Sequence, residues 1–394
     1  MQYILRTYQK QASQAAIKAF KEFKRNGLLI LPTGSGKSLI IADIAANLDE
    51  PLIVFCPSKE ILEQNVEKFR SYGIIDYGVY SASAGSKEIN RITFATIGSV
   101  NNHVEDFDRF KYVIIDEAHF VNSRGGMYEN FINSGNRIVV GLTATPYRLS
   151  PSYYGGSELK FLTRTRPRIF TDVLYFCQIG ELLSKGYLAE LKYFDVSSKV
   201  SFNIDNVRTN TTGSDYDEKS LQLEYERSGF IYDLENWTLR VLNPNDGSKR
   251  NGVLVFTRFV KEAQHLVDRL NAKGIDSAIV TGETHKKERE QILEAFKKKI
   301  IKVVANVNCL SVGFDYPALD TIIIASPTKS LARYYQQVGR IIRPDKSKKS
   351  GWVIDMCSNY KRFGAVSDLL IECPVGTQKW MITSKGRQLT NKPL

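Results

Sequence analysis

The sequence predicts an α/β protein built from two parallel-sheet domains. In the first half, short apolar runs alternate with amphipathic helical patterns, and the same rhythm recurs in the second half. Short, almost continuous apolar runs between helices are typical of parallel strands that are covered on both faces. The predicted strands are 28–31, 52–56, 92–95, 112–115 and 138–142, followed by 252–256, 277–280, 302–305, 321–324 and 352–355.

The length of the chain also favours two domains, since 394 residues are long for one hydrophobic core. We place the boundary near residue 190, which gives domains 1–190 and 191–394. A stretch at about 201–217 is rich in Asn, Asp, Thr, Ser and Gly. Such a composition predicts an exposed or partly disordered insertion in the second domain.

Charge and cysteine usage limit the class of protein. Lys and Arg outnumber Asp and Glu by 54 to 42, a net charge of +12 that suits DNA or RNA as a partner but also fits an ordinary basic surface. The five cysteines are scattered and include no C-x-x-C pair, which argues against a disulfide framework or a zinc site. With no signal-peptide pattern and no apolar run of membrane-spanning length, we expect a cytoplasmic protein without a membrane partner.

The segment LPTGSGKS is the strongest local signal. It lies between an apolar run and an amphipathic stretch, so it predicts a strand, a glycine-rich turn and a helix start. Such a turn directs backbone N–H groups and the helix dipole at a polyphosphate. Lys37 would reach the β- and γ-phosphates and Ser38 would ligate Mg²⁺. The predicted nucleotide-binding residues are Pro32, Thr33, Gly34, Ser35, Gly36, Lys37 and Ser38; Leu31 stands where the strict motif has its first glycine.

Two further strand ends in the first half carry polar residues. Asp116 and Glu117 directly follow the run 112–115, where Asp116 could hold Mg²⁺ and Glu117 could orient or deprotonate the attacking water. His119, without a nearby second His or Cys, favours hydrogen bonding over metal ligation. Thr143 and Thr145 follow another strand and could bond to His119 or Glu117, although an ordinary strand terminus is an equal interpretation.

The segment QQVGRIIRP is the main candidate for function in the second half. On a continuous helix, Gln336, Arg340 and Arg343 would lie on one face, because they are spaced i, i+4 and i+7. A guanidinium held by a helix can stabilise charge on a γ-phosphate during hydrolysis. A solvated basic helix remains the alternative.

Taken in order, these segments make the chain resemble superfamily 2 helicases and translocases of the DEAH type. The matching segments are 5–9 (Q-like motif), 32–38 (I), 57–60 (Ia), 96–99 (Ib), 116–119 (II), 143–145 (III), 255–258 (IV), 280–283, 306–317 (V) and 336–343 (VI). The resemblance implies two tandem RecA-like domains with ATP bound at their interface. It is closest to RadD-like bacterial DNA-repair helicases and to restriction-type helicase domains. We expect a bacterial or phage enzyme that lacks the RadD-type C-terminal zinc region.

The resemblance also implies roles for individual residues. Gln9 would recognise adenine with Arg6 nearby, although from the residues alone Gln9 is an ordinary surface position. Arg340 and Arg343 would be arginine fingers, and Gly313 and Asp315 would approach the nucleotide. The implied contacts to the nucleic-acid backbone, which would not read sequence, are Lys59, Thr96, Ser99, Arg258 and Thr281.

The function that follows is an ATP- and Mg²⁺-dependent helicase or translocase. We expect it to act as a monomer on single-stranded or branched DNA in replication, recombination or repair. Three alternatives stay open: an RNA helicase, an ATP-gated module that remodels duplex without unwinding it, and the motor subunit of a restriction complex.

Overall fold

The structure is a computed structural model that describes residues 4–122, 125–152, 156–307, 309 and 315–392. The chain divides into two compact units. The first comprises Met1–Arg148, Lys160–Ile179 and Ile371–Ile382, and the second comprises Leu149–Leu159, Gly180–Leu370 and Thr383–Leu394. The division expected at residue 190 differs from this one, in which the chain changes unit at residue 180 and short segments are exchanged.

The first unit contains most of the elements up to residue 179. Its helices are α1 (Thr7–Lys18), α2 (Lys37–Ala46), α3 (Lys59–Ser71), α4 (Ile97–Val100) and α5 (Met127–Asn133). The strands of this part of the chain are β1 (Gly27–Ile30), β2 (Leu52–Phe55), β3 (Gly78–Ser81), β4 (Ser86–Lys87), β5 (Ile92–Ala95), β6 (Tyr112–Asp116), β7 (Ile138–Thr143), β8 (Tyr147–Pro151), β9 (Ser157–Phe161) and β10 (Asp172–Phe176).

An eight-stranded sheet in the order β10-β1-β7-β6-β2-β5-β3-β4 organises the first unit. All its pairs are parallel except β3 with β4. Strands β1, β2, β5, β6 and β7 are buried at every residue, which explains their unbroken apolar sequences. Edge-to-face aromatic pairs, among them Phe55 with Phe131 and Phe69 with Phe94, fill the core of this unit.

The second unit contains most of the later elements. The helices are α6 (Ile179–Ser184), α7 (Glu218–Ser228), α8 (Phe230–Leu242), α9 (Val260–Ala272), α10 (Lys286–Lys297), α11 (Leu331–Val338) and α12 (Asn359–Phe363). The strands are β11 (Leu191–Asp195), β12 (Val253–Thr257), β13 (Ser277–Val280), β14 (Val303–Val307), β15 (Thr321–Ala325), β16 (Gly351–Asp355), β17 (Leu369–Glu372), β18 (Met381–Ser384) and β19 (Arg387–Gln388).

A six-stranded sheet in the order β11-β16-β15-β12-β14-β13 organises the second unit, and all five pairings are parallel. Its core includes Tyr225 stacked on Phe230 beneath the buried faces of β12 and β15. The predicted class, α/β with two parallel sheets, is confirmed. Loops at the carboxyl ends of parallel strands form one edge of each sheet, and such an edge is the usual location of binding sites in this class.

The polar stretch 201–217 is irregular, as its composition predicts, but it is anchored. Phe202, Val207 and Tyr216 are at least nine-tenths buried in the core of the second unit. Thr209 and Tyr216 form an isolated antiparallel bridge. The expectation of an exposed or partly disordered segment is therefore wrong for these residues, because apolar side chains spaced along the polar stretch tie it down.

Candidate functional site

The glycine-rich turn between β1 and α2 has the geometry of a phosphate-binding loop. Gly34 and Gly36 have φ angles of +81° and +84°, a region that favours glycine. At Gly36 a Cβ atom would also lie 2.5 Å from Nε2 of Gln9, so any other side chain would displace that amide. Leu31, at the unusual position, is fully buried, and its N–H donates to the Thr143 carbonyl across the sheet.

Helix α1 holds this loop from one side. Tyr8 and Gln9 both donate to the carbonyl oxygen of Ser35, at 2.6 and 2.8 Å. The Oε1 atom of Gln9 accepts the N–H of Arg6 at 2.9 Å. Gln9 is only 5% exposed, in contrast to the surface position that the residues alone suggest, and Arg6 is exposed. Its role at adenine stays a prediction; its contact in the structure is with the loop backbone.

The helix-start lysine is paired with the first unit's second acidic residue. Lys37 Nζ lies 3.0 Å from Glu117 Oε1, and His119 Nδ1 lies 3.3 Å from Glu117 Oε2. Burial alone would raise the pKa of Glu117, but the Lys37 ammonium and then His119 lower it far below its usual value. Glu117 also has a left-handed backbone with φ 51°, a strained conformation for a non-glycine residue that is typical of functional sites.

Asp116 is a buried carboxylate whose orientation is fixed at both oxygens. Asn65 Nδ2 donates to Oδ2 at 2.9 Å, and the N–H of Glu117 donates to Oδ1 at 2.9 Å. Burial and the neighbouring Glu117 charge raise the pKa of Asp116, while Lys37 opposes the shift. A buried carboxylate with free lone pairs and a serine hydroxyl on the adjacent loop suit Mg²⁺, which prefers few protein oxygens and completes its shell with phosphates and water. Asp116 and Ser38 therefore fit the predicted ion.

The acidic segment is connected to the end of β7. His119 Nδ1 lies 3.1 Å from Thr143 Oγ1, and the same hydroxyl accepts the N–H of Thr145 at 3.0 Å. Thr143 is fully buried, and Thr145 Oγ1 is buried without a hydrogen-bond partner among the described residues. A polar path thus runs from Lys37 through Glu117 and His119 to Thr143.

In the second unit, the predicted helix face is not continuous. Helix α11 ends at Val338, the turn Gly339–Ile341 is a 3₁₀ helix, and Arg343 lies beyond it. Gly339 weakens the helix, and Pro344 disfavours helical backbone at the residue before it, so the i, i+4, i+7 face predicted for Gln336, Arg340 and Arg343 is wrong at Arg343.

These arginines have contacts within their own unit. Arg340 Nε donates to the carbonyl of Gln336 at 3.3 Å, and Arg343 forms an ion pair with Asp315. Gly313 lies outside the described residues. Their roles at the nucleotide stay predictions.

The predicted nucleic-acid contacts lie at the carboxyl ends of strands in each unit. In the first unit, Lys59 begins α3, and Thr96 and Ser99 join Ser81 in a hydroxyl cluster with distances of 3.0 and 3.1 Å from Thr96 Oγ1. Lys59 Nζ is 3.5 Å from Glu63, a weak surface pair that a phosphate could replace.

In the second unit, Thr281 follows β13, and its N–H bonds to Thr284 Oγ1 at 2.9 Å. Arg258 is 9% exposed and its guanidinium lies 3.3 Å from Asp215 and 3.0 Å from Glu218. A phosphate would have to displace these carboxylates to reach Arg258.

Comparisons with known proteins agree with this geometry. Residues 2–148 match the family described as type III restriction enzyme, res subunit, and residues 235–345 match the helicase conserved C-terminal domain. The chain belongs to the superfamily 2 helicases. The helicase domains imply ATP-dependent hydrolase activity. A narrower assignment to the RadD-like group is part of the proposal below.

The helicase is similar to proteins from a virus, a fungus and an archaeon. It is 23% identical to the putative helicase 22 of Sulfolobus islandicus filamentous virus, over 86% of this chain and 61% of the relative. It is 26% identical to the putative mitochondrial ATP-dependent helicase irc3 of Schizosaccharomyces pombe (91% and 58%) and 24% identical to the DNA 3'-5' translocase XPB2 of Sulfurisphaera tokodaii (89% and 81%). The chain thus spans about three fifths of the length of the first two.

Among solved structures, the helicase is similar to the ATP-dependent type ISP restriction-modification enzyme LlaBIII bound to DNA. The TM-score is 0.66 and the identity 19%, over 91% of this chain and 28% of that one. This likeness supports the fold. Within the described residues, no helix is both long and apolar enough to cross a bilayer, and no group of three or more His, Cys, Asp or Glu side chains could hold a metal.

Sequence reasoning missed three contributors to the helicase site. Tyr8 bonds the loop, Asn65 orients Asp116, and Asp215 pairs with Arg258. Asn65 had one available signal: it is a polar residue at a position where the pattern of α3 expects an apolar one, between the buried Leu62 and Phe69. The other two contacts join distant parts of the sequence and leave no local pattern.

Proposed function

We propose that this chain is an ATP-driven DNA translocase that unwinds or remodels single-stranded or branched DNA. The observation that carries the proposal is the polar path from Lys37 to Thr143 in the first unit. It joins the phosphate-binding loop to the strand end that precedes the next structural element, so a change at the nucleotide can be transmitted to the protein.

The path supports a sequence of contacts during hydrolysis. Lys37 leaves Glu117 when it binds the phosphates of ATP, which frees Glu117 to orient and deprotonate the attacking water. Its low pKa keeps Glu117 ionised and able to accept a proton hydrogen bond. Ser38 and Asp116 would hold Mg²⁺, which neutralises phosphate charge when bound.

His119 then changes its bond partner. With Glu117 turned towards water, His119 keeps its bond to Thr143, whose hydroxyl also fixes the backbone at Thr145. A shift of one bond at the nucleotide therefore alters the end of β7. Such local changes set conformational steps in motor proteins.

In the second unit, we assign Arg340 and Arg343 to the γ-phosphate during hydrolysis. Arg343 would exchange its Asp315 partner for phosphate oxygens. An arginine that pairs with a carboxylate in the resting state is held near its working position and kept from non-productive contacts.

DNA is the proposed track because XPB2, a relative over most of both chains, is named as a DNA translocase. Lys59, Thr96, Ser99 and Thr281 supply backbone contacts at strand ends, which suits binding without sequence preference. We further propose a monomer of RadD-like character that acts in the cytoplasm of a bacterial or phage-infected cell, in replication, recombination or repair.

The test is steady-state ATP hydrolysis with single-stranded DNA, duplex DNA and RNA of equal length. We expect the largest stimulation with DNA. Stimulation by RNA alone would replace DNA with RNA as the track, and no stimulation by any nucleic acid would refute the proposal.

Two displacement assays separate the modes of action. Release of a labelled strand from forked DNA reports unwinding, and release of the third strand of a triplex reports translocation along an intact duplex. Hydrolysis that is stimulated by duplex without either release would instead identify a remodelling module.

A further inference from the structure

A groove in the second unit takes no part in the site described above. It has a volume of about 760 Å³ and three walls: the segment after β11, the segment after β16 and the residues from β19 onwards. We call it the cationic groove, and its walls are Ser197–Asp205, Ser358–Phe363 and Arg387–Lys392. Since β11 and β16 are parallel neighbours, the groove lies at the carboxyl edge of the second sheet.

The groove is strongly basic. Four cations line it, while Asp205 is the one acidic lining residue among those described. The cations are Lys361, Arg362, Arg387 and Lys392. Serine hydroxyls at positions 197, 198, 201 and 358 add hydrogen-bond donors. Cations interleaved with hydroxyls suit the oxygens of phosphate esters.

The two arginines are fixed by protein contacts, whereas the lysines are available. Arg362 donates to the Tyr216 hydroxyl at 2.6 Å, and Arg387 donates to the Arg362 carbonyl. Lys361 and Lys392 are exposed, and neither has an ion pair within the described part of the chain. The groove therefore combines a preorganised floor with two lysines free to bind an anion.

The basic character continues along the edge of the sheet. Lys329 follows β15, and its Nζ lies 5.9 Å from the ring centroid of Tyr216, while Arg362 lies 5.8 Å from the same centroid. Burial and the Arg362 charge lower the pKa of Lys329, against the opposing effect of Asp215. Two cations crowded around one ring gain from an anion that lies between them.

This row follows three adjacent strands. Arg362 comes after β16, Lys329 after β15 and Arg258 after β12, and these strands are consecutive in the sheet. Neighbouring strands are about 4.8 Å apart. A row that crosses several strands matches a linear polyanion better than a compact one.

We propose that the cationic groove binds the phosphodiester backbone of a nucleic-acid strand and extends the contact beyond the predicted residues Arg258 and Thr281. This inference rests on the proposed function, since it assumes that nucleic acid is the track. The contact is to the backbone and not to the bases, because the aromatic side chains in the walls, Phe202 and Phe363, are 4% and 2% exposed and offer no ring for stacking.

The experiment compares two double variants of the full chain by fluorescence anisotropy with labelled oligothymidylate over a range of salt concentrations. Lys361→Gln/Lys392→Gln removes the two available cations of the groove. The matched control, Lys249→Gln/Lys297→Gln, removes two exposed lysines that precede β12 and β14 and so lie towards the opposite edge of the sheet. Thermal unfolding of both variants checks that they remain folded.

We expect the groove variant to lower the slope of log affinity against log salt by about 1.4, that is, about 0.7 for each single-strand phosphate contact. The control should keep the wild-type slope. The difference should be larger for a long oligonucleotide than for one too short to reach the groove.

The outcomes separate the two proposals. A wild-type protein that binds no nucleic acid defeats the proposed function itself. A wild-type protein that binds, with equal slopes in both variants, overturns only the groove. Calorimetric titration with inorganic phosphate gives the remaining arm: phosphate binding that is lost in the groove variant while the oligonucleotide slope is unchanged would assign the groove to a small phosphate ester and overturn the strand.

Discussion

The two units hold their functional residues in different ways. In the first unit, predicted side chains bond mainly to one another: Lys37 to Glu117, Glu117 to His119, and His119 to Thr143. In the second unit, Arg340 bonds to its own helix backbone and Arg343 to one half-exposed carboxylate. The first site is a buried network, and the second is a pair of side chains at a helix end.

This contrast predicts different consequences of substitution. A buried, mutually bonded site is preorganised for its ligand, so changes there affect binding, chemistry and stability together. A half-exposed arginine can change partners freely, so its loss should affect mainly the step at which charge develops. Substitutions in the two units therefore test whether nucleotide binding and hydrolysis are divided between them.

The largest effect is expected for Lys37→Ala. It removes the cation that the phosphates need and leaves Glu117 without its main partner, so hydrolysis should fall by more than about a thousandfold. Steady-state ATP hydrolysis measures the loss. Lys18→Ala, an exposed lysine of α1, is the control. Near-normal turnover in Lys37→Ala would remove the loop from the active site.

Arg343→Ala should lower kcat by about a hundredfold or more and change the Kd for ATP little, because an arginine finger acts on charge in the transition state. Single-turnover hydrolysis and equilibrium nucleotide binding provide the two readouts. Asp315→Asn breaks the same ion pair but keeps the guanidinium, so its activity should stay near wild type. Parallel losses of binding and turnover in Arg343→Ala would contradict the division between the units.

Each unit also has a buried carboxylate at a strand end, and these differ in their counter-charge. Asp116 has Lys37 nearby, whereas Asp355 is 1% exposed and has Asp195 as its charged neighbour. Burial raises the pKa of Asp355 to about 6 from 3.8. The folded state thus binds this proton more tightly than the unfolded state does, so the charged form costs stability. The cost is absent below pH 3.8, grows as the pH rises towards 6, and is complete above 6.

The matching prediction concerns Asp355→Asn. The free energy of unfolding of wild type minus that of the variant should rise by at most about 3 kcal/mol as the pH falls from 7 to 4. Denaturant unfolding at a series of pH values measures it. Asp345→Asn is a control of opposite sign, because its hydrogen bonds from Ser347 lower the pKa of Asp345, so its stabilising contribution is lost as the pH falls. A pH-independent difference for Asp355→Asn would disprove the raised pKa.

The parts of the fold that sequence could predict are those fixed by burial on both sides. The ten strands expected from apolar runs all occur in the two sheets, within about two residues at each end. Strands β10 and β11 were missed because they lie at sheet edges, where half-exposed residues interrupt the apolar run. Helices α7 and α8 were missed because they follow the polar stretch.

The candidate site divides in the same way. Residues that act through the backbone of a strand end or a turn, such as Gly36 and Asp116, are recognisable in sequence because the local conformation requires them. Asn65 and Asp215 contribute through contacts across 51 and 43 residues, respectively. Arg343 shows the limit of periodicity, since a proline one residue later overrides the helical spacing.

The smallest effect is expected at the far end of the polar path, for Thr143→Val. The change keeps the volume but removes the acceptor of the Thr145 N–H and the partner of His119, which should cost about 1 kcal/mol of stability. Because Lys37, Asp116 and Glu117 keep their contacts, basal hydrolysis and ATP binding should change little. Stimulation by DNA should fall severalfold, and Thr143→Ser, which restores the hydroxyl, should recover it. If Thr143→Val loses basal hydrolysis and stimulation in proportion, the path from Glu117 to Thr143 supports the active site of the first unit and does not transmit its state.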